Sequence, residues 1–175
     1  GYGEYVAAGL EAGASDVEAF EDASACAEVI LLALDDIASN GIGFGTVSTG
    51  TSATGAVSIQ NVTGGNVAIG SIAVAGTTAG EGVAIGGSSS AVTVQFIDVA
   101  GTAADAIQLI DNSGAISIGT ISASASGVSG DGVQLSRNNA VSIDALVVNG
   151  ANAGLAIEDS LGAVTIGDVA ISGVG

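Results

Sequence analysis

The chain has 175 residues, with 18 acidic side chains, one basic side chain (Arg137) and no histidine, for a formal charge of −17. Nothing in it neutralises a phosphate backbone or an anionic lipid surface, so nucleic acid and acidic membranes are poor partners, and mechanisms that need histidine are excluded. Hydrophobic residues make up 48% and charged residues 11%, well below the about 25% of an ordinary domain, so one domain with at most a small appendage must bury much of itself using small side chains.

The first residues, Gly1-Tyr2-Gly3-Glu4-Tyr5-Val6-Ala7-Ala8, do not begin with Met. The expectation is an exported, extracellular or cell-surface chain that has lost a signal segment. Residues 1–14 are read as an N-terminal segment with a short helical turn around Glu4 to Leu10. Ser15-Asp16-Val17-Glu18 then has the form of a capping box. Apolar residues follow at Val17, Phe20, Ala27, Ile30, Leu31, Leu34 and Ile37, at helical spacing, and Asn40-Gly41 supplies a stop. An amphipathic helix is predicted over 16–39, within a capping region of 15–40. The lone Cys26 has no intrachain disulfide partner and reads as a small buried apolar residue. The apolar run Val29 to Leu34 falls well short of the about 18 residues that span a bilayer.

From Gly41 the helical period gives way to a repeat of 22 to 26 residues. A first apolar pair recurs six times, as Ile42/Phe44, Val67/Ile69, Val92/Val94, Ile116/Ile118, Val141/Ile143 and Val164/Ile166. A second follows after a two-residue corner, as Val47/Thr49, Ile72/Val74, Ile97/Val99, Ile121/Ala123, Leu146/Val148 and Val169/Ile171. A third comes after a Gly-rich connection, as Val57/Ile59, Val83/Ile85, Ile107/Leu109, Val133/Leu135 and Leu155/Ile157, and has no sixth member. Each pair points two side chains inward around one pointing out, which is strand periodicity. Three short strands per repeat describe a triangular coil, and coils stacked at ~4.8 Å would pair every strand in parallel with its copies.

This repeat, over residues 41–175, resembles the right-handed parallel β-helix of the pectate-lyase-like superfamily, also found in exported surface adhesins and phage tailspikes. The resemblance implies an all-β solenoid of five to six coils, here with an N-terminal helical cap. Handedness follows from the resemblance alone, and the fold hosts enzymes, adhesins and structural proteins alike.

The chemistry expected of such enzymes is sparse. Arg137 sits in a Ser-Arg-Asn-Asn turn without a second base and reads as a solvated surface residue. Glu81, Asp105 and Asp131 form one acidic column before the third strand, whose next equivalent is Gly154. At coil spacing such carboxylates could hydrolyse a glycan, hold calcium, or accept backbone amides in the turns, and the turn reading is favoured. Outward residues of the first strand, Gly43, Ala68, Thr93, Ser117, Ser142 and Thr165, make a narrow uncharged face suited to lateral contact with another protein. Ice binding is a weaker reading of it, because the threonine array is broken.

The last coil stops after its second strand, leaving an open end that invites another chain. Tyr2, Tyr5 and Val6 of the N-terminal segment, with Val169, Ile171 and Val174 of the last coil, are the expected assembly residues. The function expected is a non-enzymatic structural protein that assembles head to tail into a filament, surface fibre or matrix, without a cofactor. A polysaccharide-binding adhesin, with or without hydrolase activity on the Glu81/Asp105/Asp131 column, is the alternative.

Overall fold

A computed structural model of the chain describes residues 32–52, 54–77, 79–125 and 130–175. Its strands, in chain order, are β1 (Leu32–Asp35), β2 (Ala38–Ser39), β3 (Ile42–Ser52), β4 (Val57–Gln60), β5 (Thr63–Gly64), β6 (Val67–Thr77), β7 (Val83–Gly86), β8 (Val92–Thr102), β9 (Ile107–Ile110), β10 (Ala115–Ala125), β11 (Val133–Ser136), β12 (Ala140–Asn149), β13 (Leu155–Glu158) and β14 (Val164–Ser172). Short strands stack as β1-β4-β7-β9-β11-β13 and long ones as β3-β6-β8-β10-β12-β14, while β2 and β5 form a separate pair. Every pairing is parallel, and each partner lies one repeat away. The chain is a parallel β-solenoid.

The apolar columns fall in the predicted register. Ile42, Val67, Val92, Ile116, Val141 and Val164 are consecutive partners, as are Val47, Ile72, Ile97, Ile121, Leu146 and Val169. In the middle coils their side chains fill one continuous buried core with Val83, Ile85, Ile107, Leu109, Val133 and Leu135 from the short strands. A strand buries alternate residues, so a repeat of aliphatics two apart generates this core directly.

Three expectations need correction. The first and second pairs of each repeat lie in one long strand, so they do not make two separate strands; among the described residues a third strand is present only in the first two coils, as the short β2 and β5. The two-residue corner between the pairs is too short to interrupt pairing, which resumes one residue further on, as from Phe44↔Ile69 to Thr46↔Ser71. The predicted helix does not hold over its described end, where β1 and β2 occupy Leu32–Asp35 and Ala38–Ser39; the rest of it, with Cys26, lies outside the described residues. Finally, the third column does have a sixth member: Leu32 and Leu34 pair with Val57 and Ile59, so the solenoid begins earlier than residue 41.

The short strands all end in the same corner. The next residue is left-handed in every coil: Asp36, Asn61, Gly87, Asp111, Arg137 and Asp159 have φ between 47° and 60°. Asp, Asn and Gly tolerate this region better than most residues, which accounts for five of the six. The chain then turns inward and presents Ile37, Val62, Ser88, Asn112, Asn138 or Ser160 three positions after the last inward aliphatic. Entry to the short strand is equally restricted. A Cβ on Gly132 would stand 2.6 Å from the Gly154 carbonyl oxygen and closer still to Val148, so the long strand and the next coil leave room for hydrogen only.

Candidate functional site

The acidic column lies on the connection entering the short strands. Asp105 Oδ1 accepts the backbone amide of Asp131 at 2.7 Å, and Asp131 Oδ1 accepts that of Ala153 at 3.1 Å and the Asn152 side-chain amide at 3.3 Å. Gln108 donates to Asp105 Oδ2 at 3.5 Å and to Gln134 at 2.9 Å on the adjacent coil. Burial pushes the Asp105 carboxyl above its ordinary range; the Asp131 amide and Gln108 oppose this, while the charges of Asp131 and Glu81 add to it. Each of the two aspartates thus serves the turn of the following coil. The Gly132 amide bonds the Ala153 carbonyl and Val133 that of Gly154, so the position following Asp131 in the column is Ala153, not Gly154. Among the described residues no group of three or more His, Cys, Asp or Glu is gathered as a metal ion would need.

The lateral face forms as a column. Gly43, Ala68, Thr93, Ser117, Ser142 and Thr165 are successive register partners, exposed except for the half-buried Ser142, and carry no charge. Beyond the corner the same sheet exposes Phe96 and Val147.

A polar ladder inside the left-handed corner was missed by sequence reasoning. Asn112 and Asn138 are fully buried. The Val62 amide donates to Ser88 Oγ at 3.2 Å, the Ser88 amide to Asn112 Oδ1 at 3.2 Å and the Asn112 amide to Asn138 Oδ1 at 3.3 Å. In the opposite direction Asn112 Nδ2 reaches the Ile85 carbonyl at 2.9 Å and Asn138 Nδ2 the Leu109 carbonyl at 2.7 Å. The side-chain oxygens satisfy backbone amides that the turn removes from the sheet, as buried polar groups require, and the side-chain amides add a second bond to carbonyls of the short strands. Ser160, the next member, has a buried Oγ with no partner.

On the outside of this corner Arg137 grips Asp111 of the preceding coil, with Nε at 2.6 Å from Oδ1 and Nη2 at 2.9 Å from Oδ2. This fork holds the Asp111 carboxyl below its usual range. Arg137 is exposed, as expected, and its partner lies 26 residues away in sequence, a pairing that only the register reveals.

The last coil differs from all the others. Val169 is 50% exposed, Ile171 40% and Ile157 47%, although their register partners Leu146, Val148 and Leu135 are fully buried. Val174 is also exposed. Among the described residues β13 and β14 are the outer strands of the two large sheets, with one side unpaired. Tyr2, Tyr5 and Val6, the other expected assembly residues, lie outside the described residues. No protein-family model, curated protein or solved structure matches the chain.

Proposed function

We propose that this chain is a non-enzymatic structural protein, exported to the cell surface or matrix, that stacks end to end into a rod. One observation carries the reading: among the described residues the two large sheets have β1 and β3 as their outer strands on one side and β13 and β14 on the other, and all four strands follow a single register. A second copy placed one coil further on would set Leu32 and Leu34 over Leu155 and Ile157, and Val47 over Val169. Both faces carry partly exposed aliphatics of the same columns, since Leu32, Ile42, Phe44 and Val47 are only partly buried. Unpaired strand edges beside exposed apolar side chains are templates for another strand. Such contact is head to tail and does not close, so it generates a filament.

The commitment of Asp105 and Asp131 to backbone amides favours a structural role for the acidic column over a catalytic one. Export rests on the composition, which has one basic residue and no lysine. Electron microscopy of the purified chain over a range of protein concentrations tests the proposal. Unbranched rods that disappear in a Val169→Asp/Ile171→Asp variant are expected; monodisperse particles at every concentration would refute it.

A further inference from the structure

Arg137 stands where its own backbone preference would not put it. The residue after each short strand is left-handed, and Asp36, Asn61, Gly87, Asp111 and Asp159 are of types that accept that region, whereas Arg137, at φ 52°, is not. A conformation of this kind persists only where the surrounding contacts over-determine it. Here those contacts are polar and charged. Arg137 forks onto Asp111 through Nε at 2.6 Å and Nη2 at 2.9 Å, and its Nη1 donates to Ser136 Oγ at 3.1 Å. Asp111 foremost, and then Asp159 and Glu158 of the next coil, raise the guanidinium above its ordinary value. The chain has no second basic side chain to take its place.

Directly inside the fork lies the asparagine pair of the polar ladder. Asp111 precedes Asn112 and Arg137 precedes Asn138, so each coil presents one charged residue outward and one asparagine inward at this corner. Asn112 Nδ2 donates to Asn138 Oδ1 at 2.8 Å, and the same oxygen accepts the Asn112 backbone amide at 3.3 Å. Both asparagines are fully buried, while the fork outside them is about half exposed. The Asp111 amide also bonds the Ser136 carbonyl at 3.0 Å. Any opening that parts the two coils here must therefore break the fork and wet the asparagines together. Both coils have another coil on either side, so the corner is set apart from the stacking proposal.

We propose that Arg137 is an ionic clasp that holds this corner shut over the buried Asn112–Asn138 pair, and that rising ionic strength loosens the solenoid locally by screening the fork. An exposed ion pair ordinarily contributes little, but a bidentate arginine–carboxylate fork is the favourable case. Screening tightens from about 10 Å at 0.1 M salt to about 3 Å at 1 M, whereas the backbone strain at residue 137 is indifferent to salt. Attraction and strain thus change their balance as salt rises.

Native-state hydrogen exchange of the Asn112 backbone amide tests the clasp, with the Val67 amide, which bonds the Ala91 carbonyl in other coils, as the internal reference. Residue 137 is not a sequence neighbour of Asn112, so substitutions there leave the intrinsic exchange rate unaltered. Arg137→Asn removes the charge and accepts the left-handed backbone. At about 0.01 M salt its Asn112 amide is expected to exchange about threefold faster than the parent's, and at about 1 M the order should reverse, because the fork is screened and the strain is gone. Arg137→Lys keeps the charge and the strain without the fork, and is expected to exchange at least as fast as Arg137→Asn at low salt and like the parent at 1 M. An Asn112 amide no faster in Arg137→Asn at low salt, or a difference that salt does not alter, would overturn the clasp. Full protection by lysine at low salt would overturn the fork as its cause. An equal change at the Val67 amide would place the effect in the stability of the whole chain and overturn the local clasp as well.

Discussion

The middle coils and the last coil are built from the same side chains and meet opposite fates. Ile97, Ile121 and Leu146 are sealed by coils above and below, while Val169, one step further along the column, is half exposed. Inward orientation is a property of the strand, but burial is a property of the neighbouring coil. In a solenoid each repeat touches only its neighbours, so an end coil carries half of an interface that the middle coils complete. In the stacking proposal, an apolar residue of such a coil contributes little to folding of the dispersed chain and serves association instead.

The largest expected effect attacks that contrast directly. Ile97→Ala removes a fully buried side chain and should cost about 2–5 kcal/mol in denaturant unfolding. Val169→Ala, with half of its side chain already in solvent, should leave unfolding of the dispersed chain nearly unchanged and raise the concentration needed to form rods. Similar losses at both sites would show that the last coil is covered in solution.

A smaller effect compares two rungs of the polar ladder. Asn138→Ala strands the Asn112 amide inside the corner and removes a second bond to the Leu109 carbonyl, an expected loss of about 1–3 kcal/mol. Ser160→Ala should be close to neutral, since the Ser160 hydroxyl has no partner. Equal losses in the two variants would dissolve the distinction between middle and end rungs.

The smallest effect concerns Asp105. Because its carboxyl titrates above its unfolded value near 3.8, the stability it contributes is present below that pH and is lost as pH rises through the folded value. Asp105→Asn should therefore be more stable than the parent at neutral pH, and the gap should close in acid. A gap that is independent of pH would mean that the substitution acts through the Asp131 amide bond instead of the charge.

The apolar columns and their register were legible because a β-solenoid writes its core as aliphatics two apart, repeated each coil. The start of the solenoid was not. Leu34 and Ile37 are three apart, which reads as a helical step, yet the same step separates Ile59 from Val62 and Leu109 from Asn112. In each case a left-handed residue turns the chain, so that a position three residues on points inward. The ladder was hidden for a related reason. Asn112 follows Asp111 and Asn138 follows Arg137 in stretches rich in turn residues, where an asparagine ordinarily stays on the surface. Arg137 could be recognised as exposed, but its partner Asp111 emerges only when the repeats are stacked.

Head-to-tail stacking in this register is the central claim, and a cross-link between copies tests it most directly. With Cys26 replaced by Ser, Gly43→Cys and Thr165→Cys introduced into one chain would place cysteines at opposite ends of the same outward column. In a stack their Cα atoms would lie about one coil apart, within the 4.4–6.8 Å that a disulfide accepts. Mild oxidation at 1 M salt should give a ladder of covalent multimers on a denaturing gel, and a control pairing Thr165→Cys with Ser58→Cys, on the other sheet, should give little. Monomer alone, or the same ladder from the control pair, would contradict stacking.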